Sequence, residues 1–280
     1  MKISKSHFLQ CLLLVSVLFL SCSKDDNDEN PTLDQDLLIA NSQIDYANEV
    51  DFNSGLEIAN DNSVYTAKNT SNFETFNSNC ATITVDNANP GEFPKTFTID
   101  FGTACTYNGI TRSGTLTITF SDYVINYGST MTIVRGNDYY INGRKLEGTI
   151  VYQNETTNSS IPQWSRTITN GKMTTLTGGV FTFSGTWTTQ QTAGAGTLTL
   201  GDNIYEIISG THTINRPNGT TLTMTVLETL VKKYACNYIS QGKLNLQGTF
   251  LDGVLDYGDN TCDNQASYTH SNNQVFPINL

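Results

Sequence analysis

At 280 residues with a formal net charge of −11, the chain has the length for one large or two small domains. That acidity disfavours nucleic-acid backbones and anionic membrane surfaces as partners. All-β sheets often reach this size as one domain, so length forces no split.

Lys2 and Lys5 precede an apolar run from Leu9 to Leu20, the layout of a secretory signal peptide. About twelve residues are too few to span a bilayer comfortably. The run ends at Phe19-Leu20-Ser21-Cys22, which resembles a lipobox, although Phe19 and Leu20 depart from its common pattern. The resemblance implies removal of residues 1–21, a lipid on Cys22, and a membrane partner through that lipid. Ser23, Lys24, Asp25 and Asp26 follow, and they resemble the export signal that sends Bacteroidota lipoproteins to the outside of the outer membrane. The expected organisation is a signal peptide over 1–21, an acidic tether over 22–32 and a single β-rich domain over 33–280.

Leu33, Leu37, Ala40, Ile44 and Ala47 recur at helical spacing and predict a short helix over about 33–50. Thr32 with Gln35 fits a capping box, and Gly55 should end the helix at the latest. From about residue 80 the period becomes two. Leu116, Ile118 and Phe120 alternate with threonines, as do Phe181, Phe183 and Trp187, and Leu222, Met224 and Val226. One apolar and one threonine face per strand is the pattern of a half-buried antiparallel sheet.

Asn-Gly pairs at 108–109, 142–143, 170–171 and 218–219 mark hairpin turns. A two-residue turn at Asn170-Gly171 would set Ile168 against Met173. At the last pair, a three-residue loop Pro217-Asn218-Gly219 sets Ile214 against Leu222, where a two-residue turn would mismatch. Gly-Thr pairs inside strand patterns, as at 148–149, 185–186 and 210–211, suggest bends. The fold expected is mainly β: a curled antiparallel meander, sandwich- or barrel-like, with one short N-terminal helix packed on it.

Six cysteines include Cys11 in the signal segment and Cys22. The even remainder, Cys80, Cys105, Cys236 and Cys262, reads as two disulfides in an exported chain. Cys80 and Cys105 bracket Asp100-Phe101-Gly102, while Cys236 and Cys262 bracket Asp256-Tyr257-Gly258. A hairpin used twice, each copy closed by its own disulfide, accounts for this. Pairing across the copies is the alternative. With Thr111-Arg112-Ser113-Gly114, Tyr139-Tyr140-Ile141-Asn142-Gly143 and Glu147-Gly148-Thr149, these motifs resemble an uncharacterised family of Bacteroidota lipoproteins over about 80–280. The family usually has Gly where Asn260 stands, and the resemblance implies no activity, cofactor or catalytic residue.

Signatures of chemistry are few. Asp256, Asp259 and Asp263 crowd one loop, but their spacing does not match a calcium loop, and turn hydrogen bonds explain them better. No C-x-x-C pair suggests zinc. Ala193-Gly194-Ala195-Gly196 lies between strands rather than before a helix, so phosphate cradling is not expected, and neither is any cofactor. His212 should face the core beside Met224 with a satisfied hydrogen bond, and Glu228, opposite Ile208, is too far away to act on it. The functional expectation is a non-enzymatic surface module that binds a glycan, protein or host component, or an envelope-structural part. The alternatives are a carrier for an apolar ligand in the concave sheet, and a carbohydrate-active enzyme with two carboxylates facing one cleft.

Overall fold

A computed structural model of the protein describes residues 34–60, 80–87, 89, 91–197 and 199–280. The expected signal peptide, Cys22, the Ser23–Asp26 signal and Thr32 lie outside the described residues. Helix α1 (Gln35–Asn60) comes first, followed by β1 (Thr82–Val85), β2 (Lys95–Asp100), β3 (Cys105–Tyr107), β4 (Ile110–Ser113) and β5 (Thr115–Phe120). Then come β6 (Thr130–Arg135), β7 (Tyr140–Ile141), β8 (Arg144–Asn154), β9 (Gln163–Thr174), β10 (Val180–Ala193) and β11 (Ile204–Asn215). Strands β12 (Thr221–Lys233), β13 (Gln241–Gly248), β14 (Asp252–Asp259), β15 (Gln265–His270) and β16 (Val275–Asn279) complete the chain.

All pairings are antiparallel and nearly sequential, β1-β2-β5-β6-β8 and onward to β16, with β3, β4 and β7 forming a side ribbon. The sheet is single and open, neither a sandwich nor a closed barrel. Its inner face carries the predicted apolar sets: Leu116, Ile118, Leu222 and Met224 are fully buried. On the outer face threonines bond across strands, Thr213 with Thr223 at 3.1 Å and Thr167 with Thr186 at 3.1 Å.

Turn chemistry sets most registers. Asn108-Gly109 and Asn142-Gly143 are two-residue turns with positive φ at both positions, joining Tyr107 to Ile110 and Ile141 to Arg144. Pro217-Asn218-Gly219 is the three-residue loop, with Ile214 opposite Leu222 and His212 opposite Met224. Asn170-Gly171 is not a turn. It lies inside β9, where Ile168 faces Gly185 and Met173 faces Phe181 across a register shift. Asn170 takes φ 53° in that bulge, and an added Cβ on Gly148 of β8 would come within 2.7 Å of its carbonyl oxygen. The predicted bends at Gly148, Gly185 and Gly210 coincide with register shifts.

The helix departs most from expectation. Asp34 caps it, receiving the Leu37 amide at Oδ1 (3.3 Å), and it runs 26 residues, through Gly55. Gly55 marks close packing: an added Cβ would lie 2.3 Å from Met131 Sδ. The sheet wraps α1 so fully that polar residues are buried along it, including Asn41, Asn48, Asp51 and Ser54. Four acids on the helix or at its cap meet cations from the sheet side. Asp34 pairs with Arg216, Asp45 with Arg166 (3.5 Å), Glu49 with Lys232 (2.8 Å) and Asp51 with Arg135 (2.8 Å).

The last pair is fully enclosed. Asp51 also accepts the Tyr139 hydroxyl (2.5 Å), and Arg135 donates to Asn48 (2.8 Å). Burial, then the Asp51 charge, holds the Tyr139 phenol well above its ordinary value. Arg112 donates to Ser54 (2.7 Å) and lies over the Phe101 ring at 4.2 Å. Thus Phe101, Arg112 and Tyr139, each within a motif quoted above, clamp the C-terminal half of α1.

Both disulfides form within the hairpin copies, Cys80–Cys105 and Cys236–Cys262, and not across them. Loops of this size stabilise by roughly 3–4 kcal/mol each on the chain-entropy estimate. Breaking the enclosed ion pair from one side should cost about 3–5 kcal/mol. Asp51→Ala should therefore show a correspondingly lower urea midpoint. Asp51→Leu combined with Arg135→Met should recover most of that loss, since no unpaired charge then remains.

Candidate functional site

One face of α1 is covered less than the others. Ile39, Ser42, Tyr46, Glu49, Asn53 and Leu56 recur three or four apart and are half-buried, while the residues between them are mostly buried. Three cavities lie along this stripe. The middle one, about 100 Å³, lies between α1, strands β8 to β12 and the 237–239 segment. Its neighbours, about 300 and 350 Å³, share walls with it: Tyr46 and Tyr238 on one side, Tyr152 and Trp164 on the other.

The middle cavity is aromatic. Phe52 stacks on Trp164 with centroids 5.3 Å apart and meets Tyr152 at 4.7 Å, while Tyr205 stands edge-on to Trp164 at 5.7 Å. Trp187 lies beneath the Arg166 guanidinium (4.6 Å), and its indole N–H has no acceptor among the described residues. Tyr257, from the second hairpin copy, forms part of the wall.

Charge is concentrated at its floor. Burial pushes Asp45 up to about 6, outweighing Arg166 and Asn41, and pushes Glu49 up to about 7 against Lys232. Lys232 is further held by the carbonyls of Lys233 (3.0 Å) and Cys236. Asp45 Oδ1 lies 3.5 Å from the Arg166 guanidinium and is buried with it. Perturbed acids in an aromatic cleft are the usual mark of a binding or catalytic centre. Asp45 and Glu49 stand one turn apart on a single helix, however, and so belong to one wall. Glycoside hydrolysis needs carboxyls on both sides of the bond.

The other sequence candidates have structural roles. Asp100 and Asp256 each accept the amide of the glycine two residues on, at 2.8 and 2.9 Å. Asp259 accepts the Thr261 hydroxyl (2.6 Å) and Asp263 the Gln265 amide (2.9 Å). Asn260 adopts φ 76°, the geometry for which glycine is the usual choice. Among the described residues no group of three or more His, Cys, Asp or Glu side chains could hold a metal ion.

His212 is buried, but not as expected. Neither ring nitrogen has a hydrogen-bond partner among the described residues, and Phe183 and Trp187 stand edge-on to the imidazole. Glu228 is not opposite Ile208, because a bulge between Ile207 and Thr211 shifts the register; it pairs with Lys243 at 2.8 Å instead. No protein-family model, curated protein or solved structure matches this chain.

These groups pull stability in opposite directions with pH. Unfolded Asp45 and Glu49 ionise near 3.8 and 4.5, below their folded values, so the folded state holds extra protons in between. Their contribution is complete below those lower values and is lost as pH rises through about 6 to about 7. Burial drives His212 from 6.5 down to about 3, so the unfolded chain takes up that proton first and stability falls as pH drops below 6.5. His212→Met should gain on the parent by about 2 kcal/mol between about pH 7 and about pH 5, read from urea unfolding curves. Glu49→Gln should remove part of the opposing loss between about pH 5 and about pH 8, provided the variant keeps the parent's circular dichroism.

Proposed function

We propose that the protein is a surface-exposed outer-membrane lipoprotein, anchored by a lipid on Cys22, that acts as a non-enzymatic binding module. Its ligand would lie in the groove along the open stripe of α1. The observation that carries the binding reading is that groove: aromatic side chains from the helix and the sheet line one cavity beside the Asp45–Arg166 and Glu49–Lys232 pairs. Two disulfides in a chain of this kind fit an oxidising, extracytoplasmic compartment.

The alternatives are less well supported. An apolar carrier needs an empty concave face, and here α1 with its ion pairs fills that space. A carbohydrate-active enzyme needs opposed carboxylates, whereas Asp45 and Glu49 share one wall.

The address rests on the N-terminal motif and is tested there. A lipid on Cys22 would fix the protein to a membrane, and more than one acyl chain is needed for stable attachment. The side it faces must then be encoded nearby, in Lys24-Asp25-Asp26. Changing these three together to Ala should leave a lipidated, folded protein that protease added to intact cells no longer reaches. Cys22→Ala should instead abolish lipidation and membrane attachment. Equal protease access for the triple variant and the parent would reduce the acidic run to a simple linker.

A further inference from the structure

We propose that the groove binds a linear, uncharged oligosaccharide, laid along α1 and stacked on Trp164 and Tyr238. This rests on the binding-module reading and names its ligand class. The first argument is shape. The open stripe from Ile39 to Leu56 covers 18 residues, about 25 Å of helix at the α-helical rise, and cavities with shared walls follow it throughout. A row of abutting cavities suits several repeating units of a chain better than one compact molecule.

The second argument is surface chemistry. A sugar ring presents an apolar C–H face to an aromatic ring and hydroxyls around its edge. Trp164, with Phe52 stacked on one face, and Tyr238 are half-buried and line the middle cavity. Ser42, Asn237 and Glu49 supply donors and acceptors between them. Tyr152, Tyr205 and Tyr257 of the middle cavity are protonated phenols, since burial holds them above their ordinary value.

The third argument is charge. Arg166 and Lys232 are already matched by Asp45 and Glu49, so the middle cavity offers neither an anionic nor a cationic ligand an unpaired partner of opposite sign. That favours a neutral ligand. An extended peptide is disfavoured for a different reason. Peptides in grooves are held largely by main-chain hydrogen bonds to a strand edge. Here the floor is a helix whose backbone is bonded internally.

The test is the purified protein on a broad array of neutral and anionic glycans, followed by calorimetry with the neutral glycan that binds most strongly. Both tryptophans of the chain, Trp164 and Trp187, line the middle cavity, so intrinsic fluorescence should also change on binding. The hexamer of that glycan should bind more tightly than its dimer. Tyr238→Ala and Trp164→Phe should each weaken binding, Tyr238→Ala by about tenfold, with melting curves close to the parent's. A blank array, or anionic glycans alone binding, would overturn the proposal. So would a neutral glycan whose affinity is unchanged in both variants. Lauric acid and casein peptides, titrated in parallel, separate the two levels. If either binds and Tyr238→Ala weakens it, the groove is a binding site with another ligand; if neither binds and the array is blank, the binding-module reading fails as well.

Discussion

The enclosed pair Asp51–Arg135 governs the arrangement of everything around it. A 26-residue helix inside a sheet must lose water on nearly every side, and a carboxylate left alone there would cost several kcal/mol. Arg135 removes that penalty from the inner face of β6, with Tyr139 and Asn48 filling further hydrogen-bonding positions. The helix is thereby fixed in rotation and in depth. Gly55 sits one turn further on and allows α1 to close upon Met131. Arg166 and Lys232 then find Asp45 and Glu49 at the right height.

That fixed rotation creates the groove. Turning α1 about its axis would bring Ser42, Tyr46 and Glu49 under the sheet and expose apolar residues such as Ile44 instead. The ion pairs therefore do more than stabilise: they choose which face of the helix stays open. The concave interior, which an apolar carrier would keep empty, becomes a scaffold that presents a narrow polar and aromatic strip.

The fold class was legible because threonine alternated with large apolar residues at period two and Asn-Gly pairs punctuated the strands. The duplicated cysteine hairpin was legible as well, since spacing and the Asp-aromatic-Gly motif coincided in both copies. The length of the helix was not. Asp51 falls on the same stripe as Ile44 and Ala47, so the stripe ends there unless a buried cation is known to await it. The cation was written in the sequence, in a form that alternation alone undervalues. Arg135 follows Met131 and Ile133 in the inward register, and Arg166 lies between Trp164 and Ile168. A charged residue in an apolar register points to a partner on whatever fills the concavity. Asn170-Gly171 misled for a simpler reason: positive φ suits a bulge as well as a turn, and only pairing over the whole of β8 and β9 decides between them.

The ion pairs also order the events of folding. Asp51 waits 84 residues for Arg135, Asp34 waits 182 for Arg216, and Glu49 waits 183 for Lys232. A helix carrying five acids and an interior glycine, with the sheet's cations not yet in place, has little stability by itself. The element that comes first in the chain thus matures last, and such long-range closure is slow. The delay has a use. Each disulfide closes a local loop of about the same size and can form before the helix is seated, whereas a chain cut short of residue 232 leaves Glu49 without its cation. Incomplete chains therefore lack the fully seated helix of the finished protein, and a protease can tell them from it.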